Sequence, residues 1–549
     1  MSAAGWLRRL VALPLPYPVL VVLRQLDCLY ILQLERYNPF RYLDWTRRHW
    51  TALVPTPEIG LQVLAIGAGL WLRWLGAPWP VGVLLWLAAG HGALARWRSV
   101  QVSQQLQWTS RAVRVGALSF LVTGVLVLWT AGMVSAFVAA PGWRPVLGGM
   151  VGFALAGVLA PAAVSLAARL LAPLERSLAR RYLGQAAARM GRYPGRVIGI
   201  TGSYGKTSTK LVLADLLAAK FRVFKTPAGV NTTMGITRVI REELRDDHDY
   251  FVVEVSAYGP GEIREVCDIV RPRLAILTAV GVQHLERFGT PERIAEAKYE
   301  LIQALPEGGP AVMNADDPTC LRLAERARRE GKRVRLYGTG QTEGLALRGV
   351  DLTVGPRGSR FQAVSAGGER AAFETPLLGR WNLSNVLGAL AAAVECGVPL
   401  AAMRDAVAAL KPAPRRLELR EEGGIIRILD VANANPRGAE MALEVLGQFT
   451  GGQRILITPG MVELGPIEAE ENRRFGRQAA AVCDHVVLVG PEQTRPIREG
   501  LQEAGFPDTR VRVARHAGEV ADQLADIVRP GDVLLYENRL PDTYLEVAS

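Results

Sequence analysis

At 549 residues and 49% hydrophobic, the chain is too long for one compact core, which leaves two to four domains. Its formal charge of +12 comes from the first third: residues 1–190 hold eighteen arginines, no lysine and five acids, a surplus of thirteen, so the remainder is close to neutral. These arginines punctuate long apolar runs instead of clustering on a polar segment, which argues against a nucleic-acid partner and for membrane lipids.

No cleavable signal peptide is evident at the start, where Trp6, Arg8 and Arg9 lead into a proline-broken run containing Arg24 and Asp27. That stretch is expected at the membrane interface. Four uncharged runs follow: Ile59–Leu72, Trp74–Ala95, Val115–Trp143 and Pro145–Ala168. All but the first exceed the roughly 18–20 residues that span hydrocarbon, and Arg73 at the end of the first can snorkel to the headgroups. A soluble helical domain with a very apolar core is the alternative, and uncharged runs this long seldom suit a water-facing helix. Arginines precede the first run and separate the second from the third, so the positive-inside rule puts the N-terminus and everything after Arg169 in the cytoplasm. The expectation is a multi-pass protein of the inner (plasma) membrane, with residues 1–190 as the transmembrane region. The five cysteines are scattered, without metal spacing.

From Arg196 onward short β-rich runs alternate with helical stretches, the pattern of a doubly wound, mostly parallel α/β sheet. Val197–Thr201 reads as a buried strand and Gly202–Gly205 as a turn. Lys206, Thr207, Ser208 and Thr209 then open a helix whose free N–H groups face the turn. That is an anion site, even though Ile200 stands where a Walker loop carries its first glycine. Gly202, Ser203, Gly205, Lys206, Thr207 and Ser208 form the candidate nucleotide cradle, Lys206 as a point charge for outer phosphates and Thr207 as a hydroxyl for Mg²⁺. Glu254 ends the run Tyr250–Glu254, and His284 follows the strand Leu274–Val280 at the same sheet edge, where ligands of such sheets bind. Thr290-Pro291 reads as a helix start that puts Lys298 two turns in. Taken alone, these are also an ordinary strand-end acid, a structural loop histidine and a solvated lysine. A second α/β unit begins near Lys411–Arg416, which divides the cytoplasmic part into 191–412 and 413–549.

Taken together, the loop TGSYGKT (Thr201–Thr207), EVSAYGPGEI (Glu254–Ile263), LTAVGVQHLERFG (Leu277–Gly289), AEAKYELI (Ala295–Ile302), NADDP (Asn314–Pro318), GRWNLSN (Gly379–Asn385), RRLE (Arg415–Glu418), DVANANP (Asp430–Pro436) and GMVELG (Gly460–Gly465) resemble the Mur ligase family, ATP-dependent amide-forming enzymes of peptidoglycan precursor synthesis. The resemblance runs from about Val197 to Val547 and is closest to the MurF branch, which adds D-alanyl-D-alanine to a UDP-muramoyl tripeptide. It implies a central P-loop domain and a C-terminal Rossmann-like α/β domain, with ATP and two Mg²⁺ ions. It also implies roles for single residues. Glu254 becomes a Mg²⁺ ligand, His284 a ligand of a second Mg²⁺, and Lys298 a carbamylated lysine whose oxygens join the metal site. Asn314 is implied near the adenine, Arg416 and Asp430 over the phosphates and ribose, and Asn433 and Asn435 near substrate.

The implied reaction joins a muramoyl-peptide carboxylate, UDP-linked or lipid-linked, to an amino acid or dipeptide through an acyl phosphate. Two departures keep the acceptor open: the transmembrane region stands where MurF carries a soluble UDP-sugar domain, and Tyr536–Arg539 stands where it has a KGSR-like stretch. A membrane-associated polyglutamate-type synthase and a nucleotide-binding scaffold without turnover are the alternatives.

Overall fold

The computed structural model describes residues 16–54, 56–96, 106–137, 144–432 and 435–540. These fall into two compact units, one ending at Leu178 and one covering Ala179–Leu540.

The first unit is helical. Its long helices are Pro16–Leu34, Thr56–Trp74, Trp79–Arg96 and Ser110–Phe137, and the helix Arg144–Met190 starts in it. Three are long and apolar enough to cross a membrane: Pro16–Leu34, Ser110–Ala136 and Leu147–Met190, while Pro80–Leu94 is a shorter apolar stretch. Large side chains such as Leu64, Trp71, Leu84, Leu121, Leu128 and Trp129 are exposed. In water that surface would be costly, whereas against hydrocarbon it would not.

The N-terminal stretch, expected to be broken by its prolines, is regular from Pro16 onward. Pro16–Leu34 is one continuous helix with its inner face packed in the core of the unit, where Cys28, Leu29, Ile31 and Leu32 are buried. The charge of Arg24 made this run look interfacial. It is met inside the unit by Glu58, at 2.6 Å, and Gln25 bonds to Thr123 and to the Ser119 carbonyl. A paired charge and a satisfied amide are tolerable where a lone charge would not be.

The second unit contains two sheets. The first is built from β1 (Arg196–Thr201), β2 (Val223–Lys225), β3 (Tyr250–Glu254), β4 (Leu274–Leu277), β5 (Pro310–Asn314), β6 (Arg333–Gly338), β7 (Leu345–Gly355), β8 (Gly358–Ser365) and β9 (Arg370–Thr375), in the order β2-β3-β1-β4-β5-β6-β7-β8-β9. Strands β1 to β7 pair in parallel; β8 and β9 add an antiparallel meander. Apolar side chains fill both faces, as burial by helices on either side requires. Ile200 is fully buried and pairs with Glu254 on β3 and Ile276 on β4, so the position lacking the Walker glycine is a core strand residue and no part of the loop.

The second sheet comprises β10 (Glu418–Glu422), β11 (Ile425–Asp430), β12 (Arg454–Thr458), β13 (His485–Val489), β14 (Val511–Ala514) and β15 (Val533–Glu537), ordered β10-β11-β15-β12-β13-β14. Only the β10–β11 hairpin is antiparallel. Between the sheets, Arg415 (φ 63°) and Leu417 (φ 47°) both adopt left-handed backbone on either side of Arg416. The Val431 N–H donates to the Arg415 carbonyl at 3.1 Å and fastens this bend to the end of β11.

Candidate functional site

The carboxyl ends of β1, β3 and β4 carry the site. Gly202 and Gly205 have φ of 151° and 79°, and a Cβ would lie 2.1 Å from Thr278 Oγ1 at the first and 2.2 Å from Asn385 Oδ1 at the second. Glycine is required at both on space as well as backbone. Ser203 is spent on the neighbouring strand's loop: its hydroxyl donates to the Gly281 carbonyl and accepts from the Gly281 N–H, both at 3.0 Å. The helix Lys206–Ala218 begins directly after the left-handed Gly205, and Lys206 Nζ folds back to donate to the carbonyls of Gly202 (2.6 Å) and Ser203 (3.1 Å).

Glu254, at the end of β3, faces this helix. Its Oε1 accepts from Thr207 Oγ1 at 3.1 Å and Asn231 Nδ2 at 3.2 Å, and its Oε2 lies 2.9 Å from Lys210 Nζ. Burial resists the charge on Glu254, but Lys210, Lys206 and the Asn231 hydrogen bond outweigh it and hold the carboxyl below its ordinary range. Glu254 is 2% exposed, a buried acid and not a solvated strand end.

His284 sits beyond β4 with φ 60° and is 8% exposed. Its ring lies 4.5 Å from that of Tyr258, and its Nδ1 hydrogen-bonds Glu463 of the C-terminal domain. Burial pulls the imidazole below its ordinary pKa, with Lys206 and Lys298 adding to the effect against the Glu463 bond.

Lys298 is no surface lysine. The helix Pro291–Gln303, capped by Thr290 through the Arg293 N–H, turns Ile294, Ala297, Lys298, Leu301 and Ile302 inward, and Lys298 is 2% exposed. Its Nζ lies 5.9 Å over the Phe288 ring, and among the described residues no carboxylate pairs with it. Burial and the neighbouring Lys206 push the amine down to about 7, against the pull of Glu262 and Glu300. Lys206 is likewise lowered, to about 8, by burial and by Arg416, against Glu254.

These interactions connect Lys206, Glu254, His284, Lys298 and Arg416 in one field that includes both domains. Asp430 joins it from β11: burial raises its carboxyl to about 6 while Arg416 counteracts. Asn314, by contrast, is committed to the protein. Its amide donates to the Thr278 carbonyl at 2.8 Å and its oxygen accepts from the Asp316 N–H at 2.9 Å. Asn435 caps the helix Pro436–Leu446 by accepting from the Gly438 N–H at 2.9 Å, and Asn433 lies outside the described residues. Ser208 is buried within the helix start.

The residues fit a divalent cation brought in with phosphates. Thr207 and Glu254 supply hard oxygens and His284 a neutral nitrogen, yet among the described residues no three His, Cys, Asp or Glu side chains form a cage of their own. A small hard ion that retains water and shares phosphate oxygens needs no such cage. Four contributors were not singled out in the sequence: Lys210, Asn231, Asn385 and Glu463. Lys210 is one turn beyond Lys206, and Asn385 and Glu463 lie inside quoted motifs, so position alone could have raised them.

Residues 200–393 match the Mur ligase middle domain and residues 415–536 the Mur ligase glutamate ligase domain. A UDP-N-acetylmuramoyl-tripeptide--D-alanyl-D-alanine ligase from Mycobacterium bovis is 32% identical over 359 residues, covering 62% of this chain and 69% of that relative. Among solved structures, MurF from Acinetobacter baumannii is similar with a TM-score of 0.60 at 27% identity, over 66% of this chain and 78% of that one. MurF from Thermotoga maritima, in complex with ADP, has a TM-score of 0.59 at 28% identity, over 67% and 82%.

Proposed function

The chain belongs to the Mur ligase family, and from that premise we propose that it is a MurF-type, ATP-dependent amide ligase of peptidoglycan precursor synthesis, joining D-alanyl-D-alanine to the tripeptide carboxylate of a UDP-muramoyl substrate. The observation that carries the reading is the convergence of Lys206, Glu254, His284 and Lys298 at one sheet edge, with Arg416 reaching them from the second domain.

The chemistry follows from that arrangement. A substrate carboxylate oxygen attacks the γ-phosphorus of ATP, the bond to the ADP oxygen breaks, and an acyl phosphate forms. Lys206 and Arg416 disperse the charge that develops on the transferring oxygens. The acceptor amine then attacks the acyl carbon, phosphate departs with the C–O bonding pair, and the amine proton passes to solvent or phosphate. Docking of the C-terminal domain keeps water from the acyl phosphate. Mg²⁺ held by Thr207, Glu254 and His284 would neutralise phosphate charge.

Lys298 is suited to carry a carbamate. Its neutral amine bonds to the carbon of CO₂, one C=O π pair moves to oxygen, and the released proton leaves a net anion. A buried ammonium beside a cation is repelled, whereas a carbamate supplies oxygens to it. The exposed apolar helices support a plasma-membrane tether, with the ligase unit on the cytoplasmic side where ATP is available.

The test is ADP release by the full chain in detergent, with D-alanyl-D-alanine offered together with UDP-muramoyl tripeptide or its lipid-linked form. Release requiring both substrates, with the UDP-linked carboxylate preferred, is expected. Iterated addition of glutamate would overturn it in favour of a polyglutamate-type synthase, and nucleotide binding without turnover in favour of a scaffold.

A further inference from the structure

Glu463, on the loop that follows β12, joins the two ligase domains at the site. Its carboxylate is shared: Oε2 accepts from His284 Nδ1 and Oε1 lies 3.4 Å from Arg287 Nη2. Its carbonyl accepts from the Glu286 N–H at 3.2 Å. Both Glu463 (φ 65°) and His284 (φ 60°) have left-handed backbone, and neither is a glycine. Two loops from different domains are each held in an uncommon conformation so that these side chains meet, with side-chain exposures of 13% and 9%. Constraint of that kind gathers where function needs a fixed geometry.

A neutral imidazole has one N–H and one lone pair. When Nδ1 donates to a carboxylate, Nε2 is left as the lone-pair nitrogen, the only one able to bind a cation, and the bond also raises its basicity. The Tyr258 ring lies 4.5 Å from the imidazole, with Arg287 4.7 Å over Tyr258, which holds the ring from one face. A carboxylate on the histidine's own domain would fix the ring permanently. This one arrives from a residue 179 positions away, in the other domain.

We propose that Glu463 is a positioning residue that selects the Nδ1–H form of His284, so that the nitrogen able to bind Mg²⁺ is presented only while the C-terminal domain is docked. The proposal rests on the reading of His284 as a metal-side residue. It makes domain docking and metal affinity two faces of one equilibrium: whatever brings the domains together tightens Mg²⁺, and Mg²⁺ bound with nucleotide holds the domains together.

The experiment measures ADP binding to the full chain in detergent as a function of Mg²⁺, and separately in EDTA, for wild type, Glu463→Ala, His284→Ala and the double variant. Loss of the carboxylate should raise the Mg²⁺ midpoint by about 10–100-fold. ADP affinity in EDTA should remain within about twofold, which shows that the variant is folded. In the His284→Ala background Glu463→Ala should move the midpoint no further, because the effect passes through the imidazole. An unshifted midpoint in Glu463→Ala, or the same shift with His284 absent, overturns the proposal while leaving the metal site standing. Wild-type ADP binding indifferent to Mg²⁺ overturns the metal reading, and the proposal with it.

Discussion

Lys210 Nζ lies 2.9 Å from Glu254 Oε2, with side-chain exposures of 0% and 3%, so the acid at the end of β3 is held by a lysine one turn beyond the phosphate-loop lysine. Removing one member of a buried pair leaves the other charge uncompensated, at a cost of about 3–5 kcal/mol. Lys210→Met should therefore lower the unfolding midpoint clearly, and Glu254→Gln in the same chain should recover part of the loss. Thermal unfolding of the three variants decides it. A double variant less stable than Lys210→Met would show that the pair contributes nothing through charge.

Lys298→Ala should abolish ligation, by about 10²–10³-fold as for loss of one charged stabilising group, with the fold intact. Acetate can enter the vacated space and supply oxygens, so it should restore part of the activity of Lys298→Ala and none of Lys206→Ala. Full activity of Lys298→Ala without any additive would remove the carbamate role.

The amine of Lys298, lowered to about 7, fixes the direction of its pH response. Only the neutral amine reacts with CO₂, and its fraction is about one half at pH 7 and about one tenth at pH 6. At constant dissolved CO₂, carbamylation read by ¹³C NMR should rise from pH 6 to 8. A signal independent of pH over that range would contradict it.

Glu537, at the end of β15, is buried beside Asp430 and accepts from Thr458 Oγ1 at 2.8 Å. Burial and Asp430 raise its carboxyl to about 8, against the Thr458 bond. The folded state thus holds a proton that the unfolded state releases near 4.5, so the stability this group contributes is full below about 4.5 and is lost as pH rises to about 8. Glu537→Gln, a permanent mimic of the protonated acid, should flatten that decline and raise the melting temperature at pH 8 by several degrees. An unchanged pH profile of melting would rule out the buried proton.

Gly205→Ala should abolish nucleotide binding, since its Cβ would lie 2.2 Å from Asn385 Oδ1 on a backbone with φ 79°. Asn385→Ala removes the collision while leaving the backbone penalty of about 1–2 kcal/mol, so the double variant should bind measurably, if weakly. ADP titration separates the two. Equal loss in single and double variants would assign the whole effect to backbone.

The central sheet edge was legible because its signals are local. A buried strand, two glycines and a lysine-led helix start fall within ten residues, and β3 and β4 end on Glu254 and near His284. What escaped was supplied from a distance. Glu463 reaches His284 across 179 positions and Arg24 meets Glu58 across 34, and neither pairing leaves a periodic trace in the chain. The second of these pairs the charge of Arg24 inside the helical unit. The β7–β9 meander was missed because its alternation of buried and exposed residues, clear in Arg370–Thr375, is weak beside the apolar parallel strands.

The fold-back of Lys206 onto the carbonyls of Gly202 and Ser203 sets an entry condition for ligands. An arriving anion competes with two protein acceptors for the same ammonium, so a weakly charged one gains little by the exchange. A polyphosphate tail offers both greater charge and the helix-end N–H groups, and it can outbid the carbonyls where a single phosphate cannot. On that ground the loop should favour ATP and ADP over AMP before any contact to the base is made.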